Sequence, residues 1–297
     1  PPRGDGAEQG GPPSEGHLDA AWRWLGAGLR WPLPGLALLA LALGALWCSN
    51  TWDLPTYLGI GVAAVAIGVY AERPRLDAIA LGRLALRAGC VVALTWLLFR
   101  PFHVHFGSAY SSVQLWKGER SPLSALIIIW ATPGFLVASM LAVGAFGRGA
   151  RGAVARALRV YASPRGGRMR AGALYNLLVR RQGLGYELGL LGAMVLMGLM
   201  LAAFLSGAWA LLIGLPLLAM AVATAFARRA TPEWRLVALL AAVGAAALVG
   251  VEYVVIKGDI GRMNTVFKFY LQIWVLWGIA GAAGLARVWP RHHAWPR

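Results

Sequence analysis

Long stretches without a single charged side chain constrain this chain more than any other feature. Residues 125–146 and 188–205 contain no Asp, Glu, Lys or Arg, and each approaches the roughly 20 residues that a helix needs to cross a bilayer. The chain is 59% hydrophobic and only 13% charged, so such stretches recur along it. A soluble protein would not carry so many. The sequence therefore predicts an all-α, polytopic transmembrane helix bundle.

The distribution of basic residues predicts the topology of this bundle. The apolar pattern indicates about eight spans, at residues 32–49, 56–71, 79–99, 122–146, 185–205, 208–227, 235–256 and 265–286. When the Lys and Arg side chains are sorted by the ends of these spans, 22 of the 28 fall on one side and 6 on the other. Cytoplasmic loops of multi-pass proteins carry the basic excess. We therefore expect both termini in the cytoplasm of a multi-pass cell-membrane protein.

The same distribution argues against nucleic-acid binding, although the net charge is +16. The basic residues follow the loops on one side, where they attract anionic lipid on the cytoplasmic side of the membrane. Cys48 and Cys90 are the two cysteines. Cys90 falls at mid-membrane depth, so we expect no disulfide, and the chain has no zinc or redox cysteine pair.

The ends of the chain differ in composition from its middle. Residues 1–17 are polar and rich in Pro and Gly, which predicts a disordered cytoplasmic segment. Residues 18–31 alternate Trp and Leu with Arg, which is typical of a helix at the headgroup level. Residues 32–290 then form the transmembrane domain, and residues 291–297 form a cytoplasmic tail. Because the chain starts with Pro rather than Met, we expect it to be the C-terminal part of a larger protein.

A polar stripe runs into the last predicted span. Asn264, Lys268 and Gln272 are spaced i, i+4, i+8 and would lie within one narrow arc of a helix. A cation inside a spanning helix costs about 2.5–3.5 kcal/mol on insertion scales, which makes it a candidate site. Together with Arg262 and the positive end of the helix dipole, the stripe predicts a phosphate site. Alternatively, Asn264 is an N-cap and Lys268 extends to the headgroups.

Three carboxylates on the predicted outer side are candidate bases or metal ligands. Asp53 lies in the first outer loop, whereas Glu252 and Asp259 lie in the last one. Two interpretations of Asp53 stay open. It could cap the second span, with Pro55 in the first turn, or it could act as a general base.

The second outer loop carries two histidines two residues apart, His103 and His105. In an extended segment both rings would face the same way, but no third ligand is in reach, so we predict no metal site there. The residues that we expect to shape an acceptor site are Asn50, Trp52, Tyr57, Arg100, His103, His105 and Tyr270.

Three segments resemble the Chlor_Arch_YYY family of large polytopic membrane proteins, whose common domain has no assigned function. They are residues 50–57 (NTWDLPTY), 100–106 (RPFHVHF) and 262–272 (RMNTVFKFYLQ). The resemblance implies a longer parent protein with further spans and an outer acidic loop ahead of Pro1. It also implies distant similarity to the GT-C glycosyltransferases, which use polyprenyl-phosphate sugars on the outer face and usually have an acidic base in the first outer loop.

Two functions follow as hypotheses. The first is a transferase, or part of one, that moves a sugar from a polyprenyl-phosphate carrier at the outer face; Arg262 and Lys268 would hold the phosphate. The second is a non-catalytic lipid-phosphate transporter or scaffold. A transporter predicts polar residues along the inner halves of several spans, whereas here they gather outside, with Glu187 as an exception. We expect the three segments to converge around one outward-facing cleft. The sequence does not identify a cofactor, and the requirement for a divalent metal stays open.

Overall fold

A computed structural model describes residues 32–107, 112–145, 184–227 and 230–288. The helices in these ranges are α1 (Leu33–Ser49), α2 (Asp53–Glu72), α3 (Ala78–Leu98), α4 (Arg100–His105), α5 (Leu123–Ala145), α6 (Leu184–Leu205), α7 (Trp209–Ala225), α8 (Pro232–Gly250) and α9 (Met263–Val288). Two short strands accompany them, β1 (Val113–Leu115) and β2 (Val254–Ile256). The predicted N-terminal segment, interfacial helix and C-terminal tail lie outside the described residues.

The chain is mostly helical, as predicted, and several of its helices have membrane length. In the described ranges, five are long and apolar enough to cross a bilayer: α2, α3, α5, α8 and α9. Shorter apolar helices at Leu33–Ser49, Leu191–Leu205 and Trp209–Ala225 coincide with three more predicted spans. The count of eight and the orientation of the termini stay predictions.

One span boundary was wrong. The seventh span was predicted to continue to residue 256, but α8 ends at Gly250. Beyond a short turn the backbone becomes extended at Val254–Ile256, where it pairs with β1. The apolar sequence Val-Val-Ile suits a strand as well as a span, so hydropathy alone could not place this end.

Side-chain caps determine where two of the membrane helices begin. Asp77 accepts a hydrogen bond from the Ala80 backbone N–H at 2.9 Å and so caps α3. The Arg73 guanidinium, which donates to Asp77 at 2.7 Å, holds the pKa of that carboxyl below its ordinary value, and the Ala80 bond acts in the same direction. Thr231 caps α8, followed by Pro232 in its first turn.

The chain divides into two compact units. Unit 1 comprises residues 1–54 and 69–105, and unit 2 comprises residues 55–68 and 106–297. In unit 1, α1 packs against α3. The Thr95 hydroxyl of α3 donates to the Ala40 carbonyl of α1 at 3.4 Å, which satisfies a buried polar group within the pair.

Unit 2 is a bundle of α5–α9 around two buried tryptophans, Trp130 and Trp277. Their rings meet edge to face with centroids 5.4 Å apart. The Trp277 indole lies against Gly244 of α8, where any side chain would collide with it, and its N–H donates to the Ala241 carbonyl at 3.2 Å. Gly244 therefore lets α8 and α9 approach closely.

Candidate functional site

A two-stranded antiparallel sheet joins the loop before α5 to the loop between α8 and α9. Strand β1 pairs with β2, with Val113 opposite Ile256. The Trp116 N–H extends the pairing by donating to the Tyr253 carbonyl at 2.8 Å. The start of α5, the end of α8 and the start of α9 are therefore held at the same end of unit 2.

A buried ion pair lies beneath this sheet. The Glu252 carboxylate, only 2% exposed, lies 3.0 Å from an Arg262 guanidinium nitrogen. Ser121 donates to the same carboxylate twice, from its hydroxyl at 2.7 Å and from its backbone N–H at 2.9 Å. Its hydroxyl accepts from Arg262 at 2.9 Å and lies 3.5 Å from the Tyr270 hydroxyl. We call Ser121, Glu252, Arg262 and Tyr270 the Glu252 cluster.

The Glu252 cluster is charge-neutral and well bonded. Arg262 also donates to the Val251 carbonyl at 3.0 Å and lies over the Trp116 ring at 5.9 Å. Such a pair compensates for its desolvation only when hydrogen bonds satisfy the remaining groups, as they do here. An anion that binds Arg262 must therefore compete with Glu252. To act as a base, the Glu252 carboxylate would likewise have to break its contacts with Arg262 and Ser121.

Asp259 caps the last helix. Its carboxylate accepts from the backbone N–H groups of Asn264 at 3.2 Å and Thr265 at 2.8 Å, and from the Thr265 hydroxyl at 2.7 Å. Burial raises the pKa of the Asp259 carboxyl, but the bonds from Thr265 and Asn264 outweigh burial, so this pKa lies below its ordinary value. The carboxylate thus already occupies backbone donors that the sequence suggested for a phosphate, and Asp259, rather than Asn264, caps α9.

The predicted stripe on α9 runs along a boundary between two faces. Asn264 and Lys268 are half-buried, and Gln272 is buried. Leu271 and Val275 follow Lys268 at i+3 and i+7, so they share its side of the helix, and both are exposed. Lys268 therefore lies where the packed face of α9 meets a face that an apolar environment must cover.

The segment predicted as the first outer loop forms a local turn. The Asn50 amide donates to the Asp53 carboxylate at 2.8 Å, and α2 begins at Asp53. The carboxylate lies in the first turn of the helix, where negative charge is favourable, so the structural interpretation of Asp53 has a clear basis. Trp52 and Tyr57 are half-buried.

The histidine segment is helical, so the shared facing that an extended segment would give does not apply. His103 and His105 lie in the short helix α4, where residues two apart point to different sides. His103 stacks on Trp47 with ring centroids 3.6 Å apart, whereas His105 is exposed. Arg100, at the start of α4, lies over the Trp96 ring at 5.5 Å. Among the described residues, no group of three or more His, Cys, Asp or Glu could hold a metal ion.

The sequence profile described as "Uncharacterized membrane protein (DUF2298)" matches residues 18–277, most of the chain. The chain belongs to this family. No curated protein and no solved structure matches it. The narrower resemblance to Chlor_Arch_YYY proteins and to GT-C enzymes, and the convergence of the three segments around one cleft, stay predictions.

The Glu252 cluster lies entirely inside the part of the chain that matches the DUF2298 family. Sequence reasoning missed its central member, Ser121, which is 131 residues from Glu252. In the sequence, Ser121 is marked only as a hydroxyl residue before Pro122, at the start of a predicted span. That signal is too common to reveal a partner, and only the β1–β2 pairing brings the two residues together.

Proposed function

We propose that this DUF2298 chain binds the phosphate of a polyprenyl-phosphate sugar at the outer face of the cell membrane, as part of a GT-C-like glycosyltransferase. The observation that carries the proposal is the position of Lys268, a cation at the boundary between the packed and exposed faces of α9. A lipid phosphate at the membrane surface can approach such a boundary from the bilayer.

Lys268 would form the charged part of the phosphate site, with Asn264 one turn before it and Gln272 one turn after it. A fixed cation close to the leaving phosphate stabilises the charge that develops in the transition state. Arg262 would contribute a positive field from its place in the Glu252 cluster rather than a direct bond, because Glu252 already occupies one of its nitrogens at 3.0 Å.

In the proposed reaction, the acceptor hydroxyl oxygen bonds to the anomeric carbon of the sugar. The bond between that carbon and the phosphate oxygen breaks, and the lipid phosphate leaves with the electron pair. The acceptor proton passes to a carboxylate. We propose Asp53 for this role, since Glu252 accepts two hydrogen bonds and pairs with Arg262, and Asp259 accepts three hydrogen bonds, in contacts that organise the last outer loop. A divalent metal stays open.

The engagement of these two carboxylates also favours the second candidate function, a non-catalytic lipid-phosphate transporter or scaffold. Asp53 has a structural contact too, since it accepts from the Asn50 amide in the first turn of α2. A protein that only binds a lipid phosphate needs no base, and the same Lys268 site would serve it.

Turnover separates the two candidates. The full chain, reconstituted in nanodiscs, would be incubated with a radiolabelled polyprenyl-phosphate mannose and an excess of a soluble glycoside whose hydroxyl groups serve as acceptors. Release of polyprenyl phosphate would be followed with and without added Mg²⁺. We expect release above the rate in protein-free nanodiscs. Asp53→Asn should abolish release but retain binding of the unglycosylated polyprenyl phosphate, because the variant keeps an amide of the same shape beside Asn50.

The matched control is Glu119→Gln, an exposed carboxylate in another outer loop, which should release the product at the wild-type rate. Binding without any release, in wild type and Asp53→Asn alike, would contradict the transferase and leave the transporter or scaffold. Absence of both binding and release would contradict both functions for this donor.

A further inference from the structure

A polar hollow of about 420 Å³ opens at the end of unit 2 that carries the Glu252 cluster. It is lined by residues 118–122 before α5, which include the carboxylate of Glu119 as well as Arg120, and by Ser206, Gly207 and Trp209 at the turn from α6 into α7. Arg120 is exposed there, and its guanidinium lies over the Tyr253 ring at 4.8 Å. This contact holds a cation at the rim of the hollow.

An apolar groove of about 400 Å³ runs between α5 and α7. On α5 it is lined by one face of the helix from Leu126 to Ala138, and on α7 by the face from Ile213 to Met220. Trp130 lies on the α5 side. The lining side chains carry no charge, so water has nothing to bind in this groove.

The hollow and the groove follow each other along the same two helices. Residues 118–122 lead directly into α5, and residues 206–209 lead directly into α7. The hollow therefore lies at the helix starts, and the groove begins about one turn further along each helix. Only a molecule with a polar head and an apolar chain matches both parts.

The length of the groove limits that chain. From Leu126 to Ala138 the helix rises about 18 Å. One leaflet of a bilayer with a hydrocarbon core of about 30 Å is about 15 Å deep. The groove thus spans one leaflet, which is the depth that an acyl chain of a membrane phospholipid occupies.

We propose that this groove and hollow bind one phospholipid from the leaflet at that end of the protein, with an acyl chain between α5 and α7. Its phosphate pairs with Arg120, since guanidinium groups bind phosphate through charged hydrogen bonds. Ser121 and Ser206 line the same hollow, but their hydroxyls donate to Glu252 and to the Ala203 carbonyl, so Arg120 is the charged donor to the headgroup. The site does not depend on the Lys268 proposal, because it lies on other helices and requires no sugar transfer.

Photo-crosslinking tests the site directly. The full chain would be placed in nanodiscs that contain a trace of phosphatidylglycerol with a diazirine in one acyl chain, and labelled peptides would be mapped by mass spectrometry. We expect labels on the groove faces of α5 and α7. Ala131→Phe, which fills the groove from α5, should lower this labelling severalfold. Ala202→Phe, the same change at an exposed position of α6 outside the groove, should leave it unchanged.

A second pair of variants tests the headgroup. Arg120→Gln should weaken competition by unlabelled phosphatidylglycerol severalfold, whereas Lys117→Gln, an exposed cation outside the hollow, should not. Ile213→Trp fills the groove from α7 and keeps the test decisive if Ala131→Phe folds poorly.

Labelling spread evenly over the exposed faces of α5, α6 and α9 would overturn the proposal. So would equal labelling in Ala131→Phe, Ile213→Trp and wild type. Displacement of the diazirine-labelled phospholipid by polyprenyl phosphate, but not by excess unlabelled phospholipid, would also overturn the proposal. That result would assign the groove to an isoprenoid chain.

Discussion

Each unit of this protein contains an Arg–Glu pair with very different exposure. In unit 1, Arg87 of α3 donates through both terminal nitrogens to Glu72, at 2.8 and 3.0 Å; the Arg87 side chain is 7% exposed and the Glu72 side chain is 44% exposed. In unit 2, Arg262 contacts Glu252 at 3.0 Å, and the Glu252 side chain is 2% exposed. The first pair has the better bidentate geometry, and the second has the deeper burial.

Burial, rather than the distance between the charges, determines how far each pair depends on both members. Glu72 is open to solvent, so water can reach the end of the buried Arg87 side chain when the Glu72 charge is lost. Glu252 has Ser121 and Arg262 as its neighbours, and removing one charge would leave the other buried and uncompensated. We therefore expect the Glu252 cluster to be more sensitive to loss of its carboxylate than the Arg87–Glu72 pair is.

The largest expected effect comes from Glu252→Gln. It leaves the Arg262 charge without a counter-charge in a buried setting, and breaking a buried pair costs about 3–5 kcal/mol. The free energy of unfolding, measured in detergent micelles, should fall by that amount. The double variant Glu252→Gln/Arg262→Gln should recover much of the loss, because no charge then stays buried. A double variant as unstable as the sum of the two single changes would show that the pairing itself contributes nothing.

An intermediate effect is expected from Asp259→Ala, which removes the cap of α9 in the same loop. Loss of a capping carboxylate costs about 0.5–2 kcal/mol. Because the pKa of Asp259 is lowered from 3.8 in the folded protein, its stabilisation is present above pH 3.8 and is lost as the pH falls through the folded pKa. Thermal unfolding of wild type and variant should thus differ at neutral pH and converge in acid. A difference that persists unchanged below the folded pKa would contradict the cap.

The smallest effect is expected from Glu72→Gln, the same substitution as in the first experiment, made in the pair whose carboxylate is exposed. Arg87 is itself buried, but the Gln amide can still accept from it and water reaches the Glu72 position, so the free energy of unfolding should fall by less than in Glu252→Gln. If Glu72→Gln destabilised the protein as much as Glu252→Gln, burial would not be what separates the two pairs.

Features that depend on composition could be predicted from the sequence. The charge-free stretches predicted the membrane helices, because a helix in a bilayer must satisfy its own backbone and present an apolar surface. Gln272 is buried within the bundle, whereas the role of its polar stripe stays a prediction. These predictions needed only the helical period and the charge of single side chains.

Features that depend on pairing between distant segments could not be predicted. The sequence Val254–Ile256 is apolar enough for a span, and its partner at β1 carries no signal that identifies it. The two histidines indicated a shared face only for an extended segment, and α4 is a helix. Likewise, Arg262 was expected to face a phosphate, since the sequence did not reveal that Ser121 and the β1–β2 sheet bring Glu252 against it.

Ligand-induced thermal stabilisation tests the central claim, that Lys268 binds a lipid phosphate, most directly. Wild type, Lys268→Met, Lys268→Arg and Lys257→Met would be heated in detergent with and without a short-chain polyprenyl phosphate. Lys257 is an exposed cation in the adjoining loop, so its variant controls for net charge. We predict a ligand shift in wild type and Lys257→Met, a smaller one in Lys268→Arg because the fork geometry differs from a point charge, and none in Lys268→Met. Equal shifts in all four proteins would contradict the claim and leave Lys268 as a side chain that only reaches the headgroups.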